Sequence, residues 1–98
     1  MKIIWSPSAR RSFDNLIAFL ELKWEPAVII KLFNELGDSL KLIGGNPYLF
    51  PIISHKMQIR KCVLRKRTIL LYRINERSKS IELILFIDGR VNPLKYKL

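Results

Sequence analysis

The sequence predicts an α+β fold: an N-terminal short strand and a helical hairpin packed on an antiparallel sheet of three to four strands. Three observations predict it. The first half carries two apolar stripes at spacings of three and four, the period of a helix. The second half carries three runs rich in Ile, Leu, Val and Tyr, separated by the short charged turns "RKR" and "ERSKS". The middle run, "TILLYRI", is apolar on both faces, as a central strand must be.

Each element follows in order. Lys2 to Trp5 is a short apolar strand. Ser6-Pro7 reads as an N-cap followed by proline at the first helical position, where its missing N–H costs nothing. Ala9, Phe13, Leu16, Ile17, Leu20 and Trp24 then mark one helical stripe, with Arg10, Arg11, Asp14 and Glu21 falling away from it. Glu25-Pro26 breaks that helix and starts a second, striped by Val28, Ile29, Leu32, Phe33, Leu36, Leu40 and Ile43. Gly44-Gly45-Asn46-Pro47 ends it, and a glycine there suits a left-handed cap. Two amphipathic helices joined by almost no loop form an antiparallel hairpin. Neither stripe satisfies the other alone, so a sheet lies beneath them.

The strands are expected at Gln58 to Leu64, Thr68 to Asn75 and Ser80 to Ile87, antiparallel because the turns are short. Strict alternation along the last strand would put Ile81, Leu83, Leu85 and Ile87 on one face and Glu82, Ile84, Phe86 and Asp88 on the other.

Composition bounds the rest. Residues 1–98 are 49% hydrophobic and read as a single domain with one modest core. No apolar run approaches the ~18 residues of a bilayer span, so no membrane partner is expected. The three-residue apolar run before Ser6-Pro7 does not read as a signal peptide. A lone cysteine, Cys62, excludes an internal disulfide framework and a multi-cysteine zinc site, and suits a reducing cytoplasm. His55 is the single histidine, which excludes a His-rich metal site; no metal and no cofactor are expected. "GG" at 44–45 follows a helix and does not lead into one, the wrong context for a phosphate cradle.

Charge is the strongest global signal. The chain holds 18 Lys and Arg against 8 Asp and Glu, a formal +10. Residues 1–55 have six basic and five acidic side chains, a net of +1, whereas residues 56–98 have twelve against three, a net of +9. So lopsided a distribution points to a polyanionic or acidic partner for the second half.

With helices over one face, the opposite face and the strand ends are where Arg60, Arg65, Arg67, Arg73 and Arg90 can cluster for target or nucleic-acid binding. Arginine suits phosphate and carboxylate because its planar fork bonds bidentately. Asp88-Gly89 forms a turn that lifts Arg90 off the end of the most hydrophobic strand, although Asp88 also suits a plain structural pairing. Tyr48, Tyr72 and Tyr96 offer base stacking or an acid/base hydroxyl, with Tyr72 also a natural core residue. Lys66 and Arg67 read as solvated turn charges ahead of ligands, His55 as a surface loop residue ahead of a catalyst, and Cys62 as a small buried hydrophobe.

In this order, "WSPSARRSFDNLIAFL", a second helix, "IRKCVLRKRTILLYRI" and "IELILFIDGRVNP" resemble the RelE/ParE superfamily of bacterial type II toxins over nearly the whole chain. The most specific pieces are "ILLYRI" and "LFIDGRVNP". The resemblance implies a compact α+β domain and a cognate acidic antitoxin. It also implies one of two targets. ParE-like members inhibit DNA gyrase and are not nucleases; RelE-like members cut mRNA in the ribosomal A site. The RelE pattern places a catalytic arginine three residues before the tyrosine of "LLYRI", and here that place is Ile69. Arg90 and Tyr96 do keep an Arg-x5-Tyr spacing like that branch, and would be its catalytic pair. Tyr96 would then need a neighbouring cation to lower its pKa from ~10. The overall character is nearer ParE, with Arg90 an interface anchor. The alternatives are the RelE-like ribosome-dependent endoribonuclease and a non-toxic basic nucleic-acid-binding or adaptor module.

Overall fold

The computed structural model describes residues 1–65 and 67–88. Strand β1 (Lys2–Trp5) leads into helices α1 (Pro7–Leu22) and α2 (Pro26–Gly45), followed by β2 (Ile52–Ser54), β3 (Ile59–Leu64), β4 (Thr68–Asn75) and β5 (Ser80–Asp88). The α+β architecture is as expected. The sheet is larger, with five strands in the order β1-β5-β4-β3-β2, and it is mixed: β1 runs parallel to β5, while the other pairs are antiparallel. β2 follows a turn at 47–48 and a bend at 49–50 and is only three residues long, too short to show a period.

Local chemistry explains the helix ends. Ser6 caps α1, its Oγ accepting from the Ala9 N–H at 3.0 Å, with Pro7 in the first turn. α2 also starts on a proline, but its N-cap, Glu25, makes no side-chain capping bond. The hairpin turn between them holds Trp24 at φ 56, a left-handed conformation uncommon for a bulky residue. At the far end, α2 runs through both glycines to an Asn46 cap at φ −147, and neither glycine has positive φ. The left-handed glycine cap is therefore not used; the Asn46 N–H bonds the Leu42 carbonyl instead.

The main core lies between the hairpin and the sheet. Ala9, Phe13, Leu32, Leu36 and Ile43 of the helices meet Cys62, Leu64, Leu70, Tyr72, Ile81, Leu83 and Phe86 of the strands. Phe13, Trp5 and Phe86 form an aromatic knot with centroids 5.0 to 5.6 Å apart, a geometry favourable beyond area burial.

A second, smaller cluster occupies the opposite face: Ile59, Ile69, Leu71 and Ile87 are buried, with Ile53, Met57, Ile84 and Leu85 against them. Its composition exposes an irregularity in β5. Leu71 pairs with Leu85 but Tyr72 pairs with Leu83, so Ile84 is an extra residue, a β-bulge. Strict alternation along β5 consequently fails. Ile81, Leu83 and Phe86 face the helices, whereas Ile84, Leu85 and Ile87 belong to the other face. The bulge is tied to the start of α1: Ser6 Oγ donates to the Ile84 carbonyl at 3.2 Å, and Ser12 Oγ accepts from the Phe86 N–H at 2.9 Å.

Candidate functional site

β3, β4 and the turn joining them position four of the five arginines singled out above, and they place them in three separate settings. Arg60 pairs across the sheet with Tyr72, on the face that the helices cover. Its Nη1 donates to the Phe50 carbonyl at 2.6 Å and to the Tyr48 carbonyl at 3.3 Å, and its guanidinium lies 5.2 Å from the Tyr48 ring centroid. The arginine therefore clasps the loop between α2 and β2. Tyr48 is exposed and donates its hydroxyl to the Glu76 carboxylate, a bond that raises its pKa above the ordinary value ahead of the smaller effects of burial and charge.

Tyr72 is fully buried beneath this clasp and donates to the Pro47 carbonyl at 2.8 Å. Burial pushes its pKa up to about 12, with Arg60 opposing. It is a core residue, and its proton is held too tightly for acid/base work near neutrality. Cys62 is likewise buried, and desolvation raises its thiol pKa against a hydrogen bond from Ser39. A buried protonated thiol is a packing residue and no nucleophile.

Arg65 and Arg67 occupy the β3–β4 turn, beside the turn that joins the two helices of the hairpin. Arg65 adopts φ 51, and its backbone N–H donates to Glu35 Oε1 of α2 at 2.9 Å, fixing the turn to the helix. Both arginines line a cavity with Lys23 and Glu25 of the hairpin turn.

Arg73 stands on the face away from the helices, in register with Ile59 and Glu82. It pairs with Glu82 at 3.3 Å, the two side chains 44% and 32% exposed. Lys61, in register with Leu71, shares this face. The face is thus not an arginine cluster. It is an apolar strip of Ile59, Ile69, Leu71 and Ile87 with a few charges set around it. Of the arginines expected on this face and at the strand ends, Arg73 lies on the face and Arg65 and Arg67 come together at the β3–β4 turn, whereas Arg60 turns toward the helices, so no single cluster forms among the described residues. Arg90 and Tyr96 lie outside the described residues, as does Lys66.

The outer surface of the hairpin is the second notable feature. Leu22 and Trp24 are 87% and 86% exposed, and Ile30, Phe33 and Phe19 are also open to solvent. Exposed large apolar side chains on two packed helices are candidates for contact with a partner. The helical stripe predicted Phe19's neighbours Leu16 and Leu20 as inward-facing and counted Trp24 with them. Trp24 instead falls past the helix end, in the left-handed turn.

Sequence reasoning missed Glu35, which accepts from the Arg65 N–H 30 positions away, and Glu76, which accepts from the Tyr48 hydroxyl 28 positions away; nothing local signals either contact. Among the described residues no group of three or more His, Cys, Asp or Glu side chains is placed to hold a metal ion. None of the described helices is long and apolar enough to cross a membrane. Compared with known proteins, the chain matches no family model and no curated protein.

Proposed function

We propose that the chain is the toxin component of a type II toxin–antitoxin system, of ParE-like character, which arrests growth by binding DNA gyrase and is neutralised by a cognate acidic antitoxin. The observation that carries the choice of branch is Ile69. A ribonuclease of the RelE pattern needs a cation at this place to steady a pentacovalent phosphate. Ile69 is 6% exposed and packs in the apolar strip with Ile59, Leu71 and Ile87. Two further observations support a protein target. The hairpin exposes Leu22, Trp24, Ile30 and Phe33, a surface suited to burial against another protein. Arg60 already donates Nη1 to the Phe50 and Tyr48 carbonyls, which holds it against that loop and away from an incoming phosphate.

The +9 second half supplies the attraction for an acidic antitoxin, whose extended segment would be steered by charge. On this reading the protein works in the bacterial cytoplasm, needs no cofactor and performs no chemistry itself. One observation favours the ribosome-dependent endoribonuclease instead: the Arg90-x5-Tyr96 spacing of the C-terminal segment.

Controlled expression in a bacterial host separates the two, with primer extension on abundant mRNAs minutes after induction. The ParE-like reading expects growth arrest, intact mRNA and an induced DNA-damage response. Codon-positioned cuts that vanish in Arg90→Ala would instead establish the endoribonuclease with its mRNA and ribosome partners. Normal growth would leave the non-toxic basic module.

A further inference from the structure

A cavity of about 360 Å³ opens between the hairpin and the β3–β4 turn. Its volume falls at the lower end of the range of small-molecule sites, about 300–1,000 Å³, and it is too small to seat a helix. Leu16, Leu20, Val28 and Leu32 form an apolar floor from both helices. Lys23, Arg65 and Arg67 stand around it as three cations against the single carboxylate of Glu25. Glu25 and Val28 also place the cavity at the start of α2, whose N-cap makes no side-chain bond and whose first turn holds no acidic residue. Glu25 at that N-cap already complements the positive end of the helix dipole, so the cations open to an anion here are side chains, those of Lys23, Arg65 and Arg67.

The backbone around the mouth adds an independent sign. Four non-glycine residues among those described have positive φ, and two of them, Trp24 and Arg65, belong to the two turns that frame this cavity. Strain of this kind persists where surrounding structure over-determines it, and it gathers at ligand clamps. At Arg65 the determinant is visible: its N–H is held by Glu35.

We infer that this cavity binds a small amphipathic monocarboxylate, an unbranched aliphatic acid whose chain lies on the leucine floor and whose carboxylate meets Arg65 and Arg67. The arrangement asks for both parts of such a ligand. An inorganic anion would leave the floor wet, and a neutral hydrocarbon would leave Arg65 and Arg67 with Glu25 as the one carboxylate of the lining; Lys23 already lies 4.9 Å from the Phe19 ring centroid. A carboxylate on a guanidinium forms the strong charge-assisted bond that fixes orientation. This inference stands apart from the toxin reading and needs neither gyrase nor an antitoxin.

The test is calorimetric titration of the full chain with decanoate below its micellar range, with decanol and decylammonium as probes of the same length. Decanoate is expected to saturate at one molecule per chain, and decanol and decylammonium to bind far more weakly. Combining Arg65→Asn, which tolerates the left-handed backbone, with Arg67→Ala should weaken decanoate roughly tenfold or more, as loss of a charge-assisted bond requires. Val28→Phe, which fills the floor, should weaken decanoate and decanol alike, with the circular dichroism spectrum unchanged. Should the arginine pair fail to fold, Arg67→Ala alone, at an exposed position, carries the same expectation in smaller measure. The inference is overturned by the absence of saturable heat, by equal affinity for decanol, or by an undiminished affinity in the arginine variants. A cavity that takes an acidic leucine-rich peptide but not decanoate also overturns it.

Discussion

The two faces of the sheet are both apolar, yet they are built differently. The face under the hairpin joins seven strand residues to five helical ones in one continuous core, closed by the Trp5–Phe13–Phe86 knot. The opposite face buries four strand residues, ringed by Ile53, Met57, Ile84 and Leu85, with Lys61 and the Arg73–Glu82 pair alongside. The first face holds the fold together through two layers of secondary structure. The second mixes apolar packing with charge at close quarters, and a residue there can change without dismantling the core. The difference teaches where sequence variation is free to create function: on the second face and at the turns, since the first is fixed by packing.

Leu70 and Leu71 put this comparison to its sharpest test, because they are adjacent, chemically identical, fully buried and on opposite faces. Leu70→Ala should cost about 3–5 kcal/mol, since the large core cannot collapse around the cavity. Leu71→Ala should cost less, about 2–3 kcal/mol, because the smaller cluster relaxes more easily. Urea denaturation of both variants measures the gap; equal losses would mean that the second cluster is as rigid as the first.

Tyr72 ranks next. Tyr72→Phe removes the bond to the Pro47 carbonyl and should cost about 1–2 kcal/mol. It should also alter the alkaline limb of stability. The folded protein holds the Tyr72 proton up to about pH 12, against an ordinary pKa of 10.0. Its contribution is therefore complete below pH 10 and lost as pH rises through 12. Stability of the parent should fall across that window more steeply than that of Tyr72→Phe.

The smallest effect belongs to the second face. Arg73→Ala should lower stability by less than about 1 kcal/mol, since both members of its ion pair are partly solvated. A thermal melt at low and high salt reads this directly. A loss several times larger would mean that the charges on this face are structural after all.

The sequence made some of these features readable and hid others, for physical reasons. α1 begins where Ser6-Pro7 says it should, and β4 occupies Thr68–Asn75 as "TILLYRI" requires, because caps and two-sided apolar runs are local signals. The bulge at Ile84 is not local. Ser6 Oγ reaches the Ile84 carbonyl from 78 residues away, and beyond the bulge period-two alternation misassigns Leu85, Phe86 and Ile87. The parallel pairing of β1 with β5 was invisible for the same reason, and so was β2, whose three residues carry no period. Of the site, the charge asymmetry was plain, but its geometry was not. The sequence offers Arg60 the free face or a strand end, whereas the pairing with Tyr72 turns it toward the helices and into the loop carbonyls. The cavity beside Arg65 and Arg67 requires Lys23 and the leucines of α1, which only the fold brings to that turn.

The most direct test of the central claim is a supercoiling assay with purified gyrase, relaxed plasmid and the purified chain. The ParE-like account predicts dose-dependent loss of supercoiling, weakened when Trp24 and Leu22 of the exposed hairpin are changed to serine, and unaffected by Ile69→Val. Full supercoiling activity in the presence of excess folded protein would contradict it.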